Sequence, residues 1–195
     1  MIARRSLLPS LAALLLMAQP AKATDLIYSI DPRYGSIEFS VSHMGLFRSH
    51  GWFRHFEATL LLDPAHPDHA YVSADADAGS LDMPWQEAAT MLRSPQFFDV
   101  ARFPHIRFRS SAVSVVGPER YLVRGTLEMR GIRQKLTLAA TLLERHDAQG
   151  TADFAVKGML SRSAFGMVTD HLLIADEVQI AIRARIRLVG GASAG

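Results

Sequence analysis

The chain has 195 residues, no cysteine and a formal net charge of +2 with its histidines neutral. That length fits one domain, and the lack of cysteine excludes a disulfide framework and thiol chemistry. The slight basic excess sits in the first 23 residues: without Arg4, Arg5 and Lys22, three of the 21 basic residues, 18 remain against 19 acidic ones, so no nucleic-acid partner is implied.

Those first residues read as a leader. Arg4 and Arg5 form a basic start, Leu7 to Ala18 is apolar apart from Ser10 and the break at Pro9, and Ala21-Lys22-Ala23 presents small residues at a cleavage site. This is the order of a secretory signal peptide over 1–23, cut after Ala23. The apolar run is shorter than the roughly 20 residues a membrane span needs. Two arginines alone favour general secretion over the twin-arginine route. Residues 24–195 are then one exported domain, expected in the periplasm.

From there the pattern has a period of two. Ile37, Phe39, Val41 and His43 alternate with Ser36, Glu38, Ser40 and Ser42. Val72, Ala74, Ala76 and Ala78 alternate with polar residues and Gly79. Proline at 84 and good helix formers from Trp85 to Arg93 predict one α-helix, with Asp82 as its expected cap and Pro95 as its stop. Alternation resumes at Tyr121, Val123, Gly125, Leu127 and Met129, and again at Phe154, Val156, Gly158 and Leu160. In the last segment Val178, Ile180, Ile182, Ala184, Ile186 and Leu188 share one face, opposite Arg183, Arg185 and Arg187. Strict alternation of this length marks half-buried antiparallel strands. Asp63-Pro64, His66-Pro67-Asp68, Gly117-Pro118 and the stretch from Asp147 to Gly150 are turn chemistry. The fold class is all-β with one inserted helix. About eight such strands make either a sandwich or a closed barrel, and the long strands favour the barrel, which leaves no edge exposed.

An eight-stranded barrel is either filled by side chains or just wide enough for one small ligand. Ala74, Ala76, Ala78, Gly125, Ala140, Gly158 and Ala184 fall on the inner face. They imply a cavity, or else larger residues packed across them; alternation leaves both open. Phe39, Val41, Phe108, Leu136, Leu138, Phe154, Ile180 and Ile182 supply apolar walls. Such a lining suits a hydrocarbon chain, since each buried methylene contributes about 0.8 kcal/mol. His43 reads either as a hydrogen-bonded histidine of the rim or as a donor to a ligand oxygen. Arg162 reads either as a partner of Asp99 or Asp170 or as a head-group contact. Phe97, Phe98, Phe103 and Phe108 follow the helix and either pin it to the barrel or, with Trp85, Met83 and Met91, line a gate. His66 and His69 in a turn are too few for a metal site. No nucleophile elbow or phosphate loop occurs, and Ser161 and Ser163 would imply a hydrolase only if a histidine and an acid converged on them. No catalytic residue and no cofactor is therefore assigned.

Six segments, in order, carry a resemblance. They are Tyr28 to Pro32, Ile37 to Gly45 (IEFSVSHMG), Gly51 to Phe56 (GWFRHF), Leu92 to Val100 (LRSPQFFDV) continuing through Phe103-Pro104 and Phe108 to Ser110, Tyr121 to Gly131 (YLVRGTLEMRG), and Ser161 to Met167 (SRSAFGM). With them the chain resembles the YceI-like, polyisoprenoid-binding family over nearly all its exported length. The resemblance implies an extended antiparallel lipocalin-like barrel, a periplasmic location and an isoprenoid chain, polyprenyl or quinone-type, held in the pore. It departs from the family at the alanine-rich strand after Tyr71 and at Met83-Pro84-Trp85. The expected partner is an apolar lipid, with transient membrane contact; a homodimer is compatible. A β-barrel interaction domain without a ligand, or an enzyme acting on a lipid amide or ester, are the other classes this sequence admits.

Overall fold

The computed structural model describes residues 25–30 and 32–192. The expected leader over 1–23 and its cleavage point lie outside them. The strands are β1 (Asp25–Ile30), β2 (Ser36–His43), β3 (Phe47–Phe53), β4 (Phe56–Leu62), β5 (Tyr71–Asp77), β6 (Leu81–Asp82), β7 (His105–Gly117), β8 (Arg120–Met129), β9 (Ile132–His146), β10 (Thr151–Ser161) and β11 (Ile174–Ala192), with one helix, α1 (Gln86–Arg93).

Eight strands form a closed antiparallel ring in the order β1-β4-β5-β7-β8-β9-β10-β11, sealed by the pairing of β1 with β11. Closure leaves the ring without an unpaired edge. The length of β11 lets it serve two neighbours. Its second half, from Ile186, pairs with β1, while its first half pairs with β2 as far as Arg183. β3 then pairs with β2, and β6 with β3. These three strands prolong the wall past the ring at one end, and α1 follows β6 there.

The helix starts at Gln86, one residue after the expected Trp85, and lacks a side-chain cap. Asp82 does not cap it. Its carboxylate accepts from Nε of Arg54 at 2.9 Å and so ties β6 to the β3–β4 bend. Ala89 is the buried helical residue and packs with Phe53, Phe56, Ala76 and Leu81. Past Ser94 the chain turns back. The Phe98 N–H donates to Leu92 O and the Asp99 N–H to Ser94 O, both at 2.9 Å. The Arg130 guanidinium donates to the carbonyls of Pro95 and Phe97 and fixes this turn to the β8–β9 end of the barrel.

The small inner residues behave in two ways. A Cβ at Gly125 would meet the Phe108 ring at 2.5 Å, and one at Gly158 would meet Leu138 at 2.5 Å. Those positions are seats for large neighbours, so there the packed alternative applies. Ala74 and Ala76 instead border open volume.

Candidate functional site

A cavity of about 210 Å³ occupies the half of the barrel nearest α1. Its walls are the inward residues of the strands: Phe39, Val41 and His43 from β2, Ala74 and Ala76 from β5, Phe108 from β7, Leu136 and Leu138 from β9, and Ile180 and Ile182 from β11. Met83, Met91, Leu92, Phe97 and Phe98 close it on the helix side. Phe98 stands edge-on to Phe53 at 5.6 Å and to Phe39 at 6.1 Å, so the aromatic turn both pins the helix and forms the roof. Met91 lines the cavity and is still 44% exposed, so the cavity meets solvent along this edge of the helix.

Three expected site residues stand elsewhere. Ala140 is buried opposite Tyr121 and Val156, one step deeper than Leu138. Phe154 lies opposite Ala184 and Leu142, its ring 6.4 Å from that of Tyr121. Both belong to the packed half. Trp85 is 62% exposed and lies outside the lining, so it does not form part of the roof. The sequence reading missed Ile37, Leu127, Leu160, Met167, Ile174 and Val178, all lining. Several of them were already on the alternating inner faces. The four lining methionines, Met83, Met91, Met129 and Met167, give the wall unbranched, adaptable side chains.

Polar groups are scarce here. The Nε2 atom of His43 is buried and has no hydrogen-bond partner, the one such side-chain atom among the described residues. Native structures rarely leave a buried polar atom unmatched, and each instance asks for a reason. Arg162 is different. It is 4% exposed. Its Nε donates to Ala175 O at 3.0 Å, its Nη1 to Met167 O at 2.7 Å and Thr169 O at 2.8 Å, and its Nη2 to Ile174 O at 2.9 Å. The expected ion pair with Asp99 or Asp170 is replaced by four main-chain carbonyls, and the guanidinium clasps the segment between β10 and β11. The Ser161 and Ser163 hydroxyls hold Asp176, whose carboxyl they keep below the usual carboxylate range.

Two further clusters lie outside the cavity. Asp153 takes both arms of the Arg185 fork, at 2.6 and 2.7 Å, and His146 stands 3.3 Å away. The Arg185 hydrogen bonds, helped by His146, hold the Asp153 carboxyl down to about 2. Glu144, His146 and Asp153 lie close enough together to suggest a cation site, but Arg185 already supplies the positive charge. His66 and His69 stack at 5.4 Å, with His66 Nδ1 2.8 Å from Asp63.

A model of the YceI-like domain matches residues 28–186. The chain belongs to the YceI-like family. It is 28% identical to Protein YceI of Salmonella arizonae over 176 residues, 89% of this chain and 92% of that one. Among solved structures it is similar to BcnA of Burkholderia cenocepacia, with a TM-score of 0.74 and 26% identity over 80% of this chain and 98% of that one. A polyisoprenoid binding domain from Saccharophagus degradans, 12% identical, shares the fold with a TM-score of 0.64 over 84% of this chain and 99% of that one. The YceI-like ring and its helix are thus those expected from the sequence. No helix among the described residues is long and apolar enough to cross a membrane.

Proposed function

We propose that this YceI-like protein is a periplasmic carrier that holds one isoprenoid-type lipid by its chain. The single observation behind this reading is the cavity itself, walled mainly by aliphatic, aromatic and methionine side chains, with Glu38, Ser49, Arg162 and His43 as its polar lining and His43 Nε2 as its one unsatisfied polar atom. The polyisoprenoid binding of the S. degradans domain and the shared fold support the same reading. Affinity comes from the chain, at about 0.8 kcal/mol per buried methylene. The head group is neutral and carries an oxygen. One unpaired nitrogen can match a quinone carbonyl or a hydroxyl, whereas a buried phosphate needs several donors to offset its desolvation. His43 orients it, because Arg162, although it too lines the cavity and keeps one N–H to spare, has four of its five N–H groups committed to carbonyls.

The cavity of about 210 Å³ is smaller than the roughly 300–1,000 Å³ of pockets that enclose a whole small ligand. A long chain therefore enters by repacking the methionines and displacing the turn that bears Phe97 and Phe98, or leaves its far end at the helix edge. The experiment is solvent extraction of the purified protein followed by mass spectrometry. A neutral isoprenoid in the extract supports the carrier. Protein that yields no lipid, and takes up none from quinones and polyprenols, leaves a ligand-free interaction barrel.

A further inference from the structure

We propose that the rim of the cavity docks on a lipid bilayer through the tips of two adjacent turns. The first is the β2–β3 turn. The Leu46 N–H donates to His43 O at 3.0 Å, with Met44 at φ 47° and Gly45 at φ 69°. A turn with both central residues left-handed selects Asn, Asp or Gly at the first of them. Methionine there is conformationally unfavourable, and its side chain is exposed, so the fold gains nothing from it. Leu46 is 82% exposed, and Phe47 is exposed beside it. The second turn precedes β11, and there Leu172 is 85% exposed and Leu173 is exposed too.

The two tips are stitched together. The Met44 N–H donates to Leu173 O at 2.9 Å, and His43 is paired with Ile174. Both residues of that pair line the cavity. The exposed apolar side chains therefore stand immediately beyond the lining, next to the cavity wall. Exposed large apolar groups gathered at one place mark an interaction site. A protein partner is the poorer fit, because standard interfaces engage roughly 20–30 residues a side with matched shape. Two convex tips offer far fewer, and a bilayer requires no matched shape. The first tip carries Arg48 and no acid over residues 43–48, while the second carries Asp170 beside His171, so the docking rests on insertion of the apolar side chains rather than on charge.

This docking rests on the carrier reading for its purpose but not for its test. The purified protein is floated with vesicles of phosphatidylethanolamine and phosphatidylglycerol, and bound lipid is measured on the same preparations. The wild type is expected to float with the vesicles. The pair Leu46→Ser and Phe47→Ser, and separately Leu172→Ser, should lower the partition about tenfold, with thermal unfolding unchanged. Leu143→Ser, an exposed apolar residue of β9 in the packed half, should leave it unchanged. A wild type that stays with the soluble fraction overturns the proposal, as does an equal loss from Leu143→Ser. A wild-type dimer that the rim variants dissolve overturns it in favour of contact between two copies. Vesicle binding with no lipid in any preparation upholds the docking and counts against the carrier instead.

Discussion

At the scale of single residues, two polar side chains in one apolar cavity do opposite work. Arg162 donates to four carbonyls, and removing it would take that donor from one buried and three half-buried acceptors. Arg162→Met is expected to cost about 3 kcal/mol or more of stability, seen as a lower urea midpoint. Arg162→Lys should restore little, because a point charge cannot span the four acceptors. His43 is the converse case. Its buried Nε2 has no partner. His43→Leu should raise the stability of lipid-free protein by about 1 kcal/mol. It should also abolish preference for oxygen-bearing lipids over hydrocarbons of equal length in a competition assay. A less stable, equally selective variant would show that the ring is a structural member of the rim. Both residues were legible as polar groups near the cavity, but their roles were not. Whether a side chain is satisfied depends on main-chain carbonyls brought in by the turn between β10 and β11, and alternation says nothing about those.

At the scale of elements, alternation tells which face a residue takes but not how deep along the barrel it lies. That is why Ala74 and Ala140, both inward alanines, separate: Ala74 borders the cavity, while Ala140 is packed between Tyr121 and Val156. Ala140→Phe should therefore overpack the deep half and cost about 1–3 kcal/mol in urea unfolding while the remaining folded protein keeps its lipid. The seam of β9, β10 and β11 carries an acid-sensitive tie. Arg185 and His146 hold the Asp153 carboxyl at about 2, below the ordinary 3.8. A carboxylate depressed in the folded state stabilises the fold above its ordinary value, and that stability is lost as pH falls from about 4 towards 2. Asp153 is 23% exposed, so solvent screening trims the contribution to about 1 kcal/mol. Asp153→Asn should destabilise the protein at pH 7 by that amount and make its unfolding midpoint fall less between pH 5 and pH 2. Equal pH slopes would contradict the assignment.

For the whole molecule, three ring strands announced themselves, whereas β7 and β9, of 13 and 15 residues, were not read as alternating segments. β8, β10 and β11 alternate cleanly, and the closed ring follows because their apolar faces must meet and their edges must pair. The prolongation by β2, β3 and β6 was not legible. β6 has two residues, too few for any period, and nothing local says that β11 changes partners between Arg183 and Ile186. That prolongation carries the cavity wall past the ring with Ile37, Phe39, Val41 and Phe53, while within the ring Phe108 and Leu138, seated against Gly125 and Gly158, form its floor. The cavity thus arises from topology, at the end where strand pairing is handed from β1 to β2, and the small residues of the ring alone do not make it.

The central claim is that this volume holds a lipid. Native mass spectrometry of wild-type protein and of Ala74→Phe tests it most directly. The wild type should carry one lipid-sized adduct per chain, and Ala74→Phe, folded and with the cavity filled, should carry none. An adduct of the same mass and abundance on Ala74→Phe, or none on either protein after incubation with quinones and polyprenols, would contradict the account.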